Sequence, residues 1–139
     1  MTNYKIGIQL TQNPEKYKTL LSVLKSELIS TDGIEFIHIP TENELEQFIP
    51  DIDILTTYHI KKPSFACATN RLKWIHFGMA GLEHSLFPEI LKSKTIITNA
   101  RGVHAGPVSE FVMSAILYFA KQFKDCHEFM RTMNWTQWE

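Results

Sequence analysis

Along most of the chain, apolar positions switch between a period of two and a period near 3.6. Residues 4–10 (YKIGIQL) alternate Ile6, Ile8 and Leu10 with Lys5, Gly7 and Gln9, the mark of a strand with one apolar face. Asn13-Pro14 then interrupts the pattern. An Asn cap followed by Pro at the first helical position starts a helix. The next apolar residues, Leu20, Leu21, Leu24 and Leu28, share one helical face, and Asp32-Gly33 closes the unit as a turn.

The alternation repeats. Further strands are predicted over 34–39 (IEFIHI), 53–57 (DILTT), 72–77 (LKWIHF) and 95–98 (TIIT). Helices are predicted between them. One covers 41–49, with Thr41 as cap and Glu44 at capping-box spacing; the others cover 62–70 and 85–92. A long helical pattern starts at Pro107 and carries Val108, Phe111, Val112, Ala115, Ile116, Phe119, Ala120 and Phe123. Strict strand–helix alternation implies an α/β fold with a mostly parallel sheet and helices on both faces. Five strands in so short a chain predict a flavodoxin-like doubly wound sheet, with right-handed crossovers giving the order 2-1-3-4-5. The predicted organisation is a domain over 1–106 and a linking helix from 107 into 139. Trp135 and Trp138 fall outside any amphipathic pattern, and the expectation is that a further segment covers them.

Composition narrows the class. With 44% hydrophobic and 21% charged residues, the chain is neither disordered nor fibrous. A net charge of −1 gives no global attraction to nucleic acid or an anionic membrane. Cys67 and Cys126 form no CxxC pair and no zinc-like spacing, so no metal is expected and both thiols read as reduced. The start lacks a signal-peptide pattern, and no apolar run approaches the ~20 residues that span a bilayer. The expectation is a cytoplasmic protein.

In parallel sheets, ligands bind beyond the carboxyl ends of strands. The third strand runs into Thr57-Tyr58-His59, and Tyr58 could line a cleft or stand on the surface. The fourth runs into Gly78-Met79-Ala80-Gly81. Glycines that allow φ > 0, with successive amides, could hold a carboxylate. On spacing alone, a plain tight turn weighs more. The fifth runs through Asn99-Ala100-Arg101-Gly102-Val103-His104-Ala105-Gly106 into Pro107. Such a helix start favours anions, Arg101 and His104 could hold one, and a simple capped helix is the stronger reading. His59, His76, His84 and His127 share no spacing; His76 suits a buried, satisfied strand residue and Glu110 a helix-start charge. Neither G-x-G-x-x-G nor a P-loop occurs.

Residues 72–84, LKWIHFGMAGLEH, and 95–113, TIITNARGVHAGPVSEFVM, resemble two ordered motifs of the D-2-hydroxyacid dehydrogenases. Glyoxylate/hydroxypyruvate reductases, phosphoglycerate dehydrogenase and formate dehydrogenase belong to that family. The resemblance implies a substrate-side domain of a 2-keto acid reductase using NAD or NADP. By similarity, Gly78, Met79, Ala80 and Gly81 hold the substrate carboxylate through backbone amides. His104 stands where formate dehydrogenase has a substrate-binding Asn, Ala105 where its helix approaches the cofactor, and Tyr58 on a loop carrying active-site aromatics. Met79 replaces a smaller residue, Glu83 an Asp and Ser109 an Ala. The family's glycine fingerprint follows a tryptophan placed like Trp135 or Trp138, and its catalytic Arg, Glu and His come later still. No catalytic residue is therefore assigned within this chain, which alone is expected to be inactive. A homodimer through residues 107–130 is also implied. The alternative is a non-enzymatic, receiver-like flavodoxin fold; it would need acids after the first strand, where Gln9-Leu10-Thr11 stand instead.

Overall fold

The structure is a computed structural model that describes residues 3–134. Trp135 and Trp138 lie outside the described residues. Five strands, β1 (Tyr4–Gln9), β2 (Ile34–His38), β3 (Ile54–Thr57), β4 (Trp74–Phe77) and β5 (Ile96–Asn99), form one sheet in the order β2-β1-β3-β4-β5. All four pairings are parallel. The predicted α/β class and strand order are therefore observed.

The connecting helices follow their local signals. Helix α1 (Pro14–Glu27) is capped by Asn13, whose side chain accepts the amides of Glu15 and Lys16. Helix α2 (Glu42–Phe48) is capped by Thr41 and runs into a 3-10 turn, Ile49–Asp51. Helix α3 is shorter than predicted, Lys62–Ala66. Thr69 ends it locally, donating to the Pro50 carbonyl and accepting from the Arg71 amide. Helix α4 shrinks to Pro88–Leu91, because a residue before proline is pushed out of the helical region and Phe87 sits at φ −99°, ψ 162°.

One face of the sheet carries the core. Leu55, Ile75 and Phe77 pack with Leu45, Ile49 and Ile90 from the helical side, with Ile37 and Ile97 at the margins. On the other face, α1 meets β2: the Tyr17 ring stacks on His38 at 4.2 Å, and the Lys25 ammonium stands over Phe36. The predicted apolar stripe of α1 is not buried, and Leu20 and Leu24 remain exposed. The same sheet face carries Trp74 and Ile96, exposed on β4 and β5.

Asp53 ties the amino edge of the sheet together. Its buried carboxylate accepts from the Lys5 amide at 2.9 Å and from Arg71 Nη2 at 3.1 Å, with Lys73 Nζ at 3.8 Å. Burial alone would raise this carboxyl's pKa; the Lys5 amide and the Arg71 guanidinium outweigh burial and hold it below its ordinary value.

The chain divides into two compact units, residues 1–101 and 102–139. In the second, helix α5 (Ala105–Ala120) starts two residues before Pro107. Proline is accepted there because first-turn amides have no intrahelical partner. The predicted continuous helix breaks at Gln122, which adopts φ 51° before α6 (Phe123–Arg131). Phe111, Ile116 and Phe119 of α5 are 74%, 53% and 76% exposed. Among the described residues, no helix is long and apolar enough to cross a membrane.

Candidate functional site

The strand registers place Gln9, Thr57, Phe77 and Asn99 in one row along the carboxyl edge of the sheet. The turn 78–81 leaves this row from β4. Gly78 donates to the Thr57 carbonyl at 2.9 Å, which holds the turn against β3. From the β5 side, the Ala100 amide donates to the carbonyls of Phe77 (3.1 Å) and Met79 (3.2 Å). Asn99 Nδ2 donates to the Ala80 carbonyl at 2.6 Å. The carbonyls of Met79 and Ala80 are thus anchored. Among the described residues, the amides of Met79, Ala80 and Gly81 donate to no partner. Three successive free N–H groups on an anchored backbone can accept an anion.

The glycines serve differently from the sequence-based reasoning. Neither Gly78 nor Gly81 has a positive φ, so left-handed backbone is not what selects them. At Gly78 space is tight: a Cβ there would stand 3.0 Å from Tyr58 Cε1 and 3.3 Å from Leu10 Cδ2, so these side chains would have to give by a few tenths of an ångström. A Cβ on Gly81 would meet only the Glu83 carboxylate, at 2.8 Å, the mobile end of an exposed side chain. The negative charge of Glu83 therefore lies beside the free amides, where it opposes an arriving anion.

Tyr58, half exposed, rests its ring on Gly78 and borders a cleft of about 440 Å³ beyond the ends of β1 and β3. The structure thus brings Tyr58 and Gly78–Gly81 together. His104 and Ala105 belong to the second unit. Ala105 is the first residue of α5, and His104 precedes it at φ −91°, ψ 2° with no capping hydrogen bond from its side chain. His76 is hydrogen-bonded as expected but only partly buried: Thr98 Oγ1 lies 2.9 Å from His76 Nδ1 and accepts from Trp74 Nε1 at 2.8 Å. Among the described residues, no three His, Cys, Asp or Glu side chains gather as a metal site. Sequence reasoning missed Asn99 and Gln9. Asn99 was visible as a polar residue closing a strand, but its partner lies 19 positions away.

No protein-family model matches the sequence, and a comparison with curated proteins finds no match. Solved structures do resemble it. A D-isomer specific 2-hydroxyacid dehydrogenase family protein from Aeromonas salmonicida superposes with a TM-score of 0.64 at 21% identity, over 99% of this chain and 42% of that one. A protein from Pyrococcus horikoshii superposes with a TM-score of 0.61 at 22% identity, over 98% of this chain and 39% of that one. This chain thus spans about two-fifths of the length of the structures it matches. At such identities the likeness establishes the fold, which this chain shares with a D-isomer specific 2-hydroxyacid dehydrogenase family protein.

Proposed function

We propose that this chain is the substrate-side part of an NAD- or NADP-dependent D-2-hydroxyacid dehydrogenase, an oxidoreductase acting between a 2-keto acid and its D-2-hydroxy acid. The observation carrying the reading is the turn 78–81. It lies within the segment that resembles the family, and it presents the free amides of Met79, Ala80 and Gly81 above anchored carbonyls. The fold likeness across 99% of the chain supports it.

In this reading the three amides hold the substrate carboxylate. Tyr58, seated on Gly78, forms a wall beside it. His104 and Ala105, at the amino end of α5, are assigned to substrate and cofactor contacts by resemblance. The cofactor would supply the hydride. The described residues contain no G-x-G-x-x-G turn for its pyrophosphate, and the loop after β1 reads Leu10-Thr11-Gln12-Asn13-Pro14. The dinucleotide site is therefore assigned to a separate domain, and no chemical step is placed on this chain.

The test is an amide-resolved NMR titration of the 139-residue chain with glyoxylate. The signals of Met79, Ala80 and Gly81 should move together and saturably. If they stay still while others move, the turn is not the carboxylate site. The same chain should not oxidise NADH with glyoxylate or hydroxypyruvate; turnover would refute the division of labour.

A further inference from the structure

The cleft beyond β1 and β3 is lined by Gln9, Thr11, Glu42, Thr57, Tyr58 and His59, among others. It sits where the strand order reverses: β1 leads outward to β2, and β3 leads the other way to β4. Loops on either side of such a point part and leave a crevice. The orientation of one side chain in it follows from counting hydrogens. Thr57 Oγ1 has three neighbours: the Gln9 side-chain oxygen Oε1 at 2.8 Å, the His59 carbonyl at 2.7 Å and the His59 amide at 3.2 Å. A hydroxyl has one hydrogen and two lone pairs. The His59 carbonyl can only accept, so it takes the hydrogen. The His59 N–H can only donate, so it takes one lone pair. The remaining lone pair needs a donor, and the Gln9 amide must therefore turn its Nε2 to Thr57. Thr57 is 1% exposed, so two facing oxygens with no hydrogen between them could not be relieved by water.

Gln9 Oε1 is then the end left for the cleft. The neighbouring Glu42 carboxylate, which already accepts from Ser64 Oγ and the Lys61 amide, adds a second acceptor. No Lys or Arg lines this cleft. Its chemistry suits a hydrogen-bond donor and disfavours a second carboxylate. The register joins it to the turn: Gln9 faces Thr57, and Thr57 faces Phe77, immediately before Gly78. Two strand spacings make roughly 10 Å, which suits a ligand of about four carbons once a hydrogen bond of about 3 Å is allowed at each end.

We infer that Gln9 is a specificity-determining residue whose carbonyl oxygen receives a hydroxyl on the tail of a 2-keto acid, with Thr57 as the positioning residue that aims it. This rests on the reading of turn 78–81 as the carboxylate site. The test is an NMR titration of the 139-residue chain with three acids of similar length: 4-hydroxy-2-oxobutanoate, 2-oxopentanoate and oxaloacetate. The hydroxyl acid should bind about fivefold more tightly than the methyl acid, the scale of one neutral hydrogen bond, and oxaloacetate most weakly. In Gln9→Met the hydroxyl and methyl acids should converge. In Thr57→Val, which keeps the shape but frees the amide to rotate, the preference should shrink. Equal affinities in the unaltered chain, or a preference that survives Gln9→Met, overturn the inference while Met79–Gly81 shifts leave the carboxylate reading standing. If no acid moves those three amides, both fall.

Discussion

The charge of Glu83 gives the sharpest check on the anion turn, because its sign is opposite to what a finished carboxylate site would want. Glu83 Oε2 lies 2.8 Å from the point where a Gly81 Cβ would stand, which puts it roughly 5 Å from an anion on the neighbouring amides. Two like charges at that distance repel by about 0.8 kcal/mol in water, and by about four times more in a shielded site. Glu83 is exposed, so the water value applies, and salt near 0.15 M cuts it by roughly half. Glu83→Gln should therefore tighten 2-keto acid binding about fourfold at low salt and about twofold at physiological salt. The assay is a glyoxylate titration followed at the Met79, Ala80 and Gly81 amides at both ionic strengths. Glu27→Gln serves as control: it removes the same net charge from the last residue of α1, whose direction carries it toward the opposite edge of the sheet. Unchanged affinity at both salt concentrations would refute the placement of the anion, as would an equal gain in the control.

Asn99→Ala should weaken glyoxylate binding about threefold to tenfold with little loss of stability, since it frees the Ala80 carbonyl at an exposed position; unaltered binding in a folded variant would make Asn99 a bystander. Asp53→Asn should cost about 1–2 kcal/mol in denaturant unfolding at neutral pH, because the partners Arg71 and Lys73 are largely solvated. A carboxyl held below its ordinary value stabilises the fold above about pH 4 and loses that contribution as pH falls through its folded value. The variant's acid limb should accordingly be flatter, and parallel limbs would refute the assignment. The exposed apolar side chains of α5 should drive a two-fold dimer at micromolar concentration. Sedimentation should show it, and Phe111→Glu with Phe119→Glu should abolish it. A monomeric unaltered chain would end that proposal.

Much of the fold was legible because its signals are local. Asn13-Pro14 caps and opens α1, Thr41 opens α2, and Gly33, at φ 71°, makes the turn before β2. Short apolar runs between turn signals, alternating with period two in the first, marked all five strands within two residues of their observed starts, and the handedness of crossovers then ordered them. Even the shortening of α4 was written in Pro88. What the turn and the cleft can do was not legible, because each depends on partners brought together by the sheet. Asn99 reaches Ala80 across 19 positions, and Thr57 reaches Gln9 across 48. Strand register alone sets them side by side. The same holds for the tight space at Gly78, which is set by the Tyr58 ring from the neighbouring strand end. The break at Gln122 carries no Gly or Pro to announce it. The exposure of Leu20 and Leu24 contradicts their own helical pattern. Periodicity says which face of a helix is apolar; whether anything covers that face is decided only when the layers assemble.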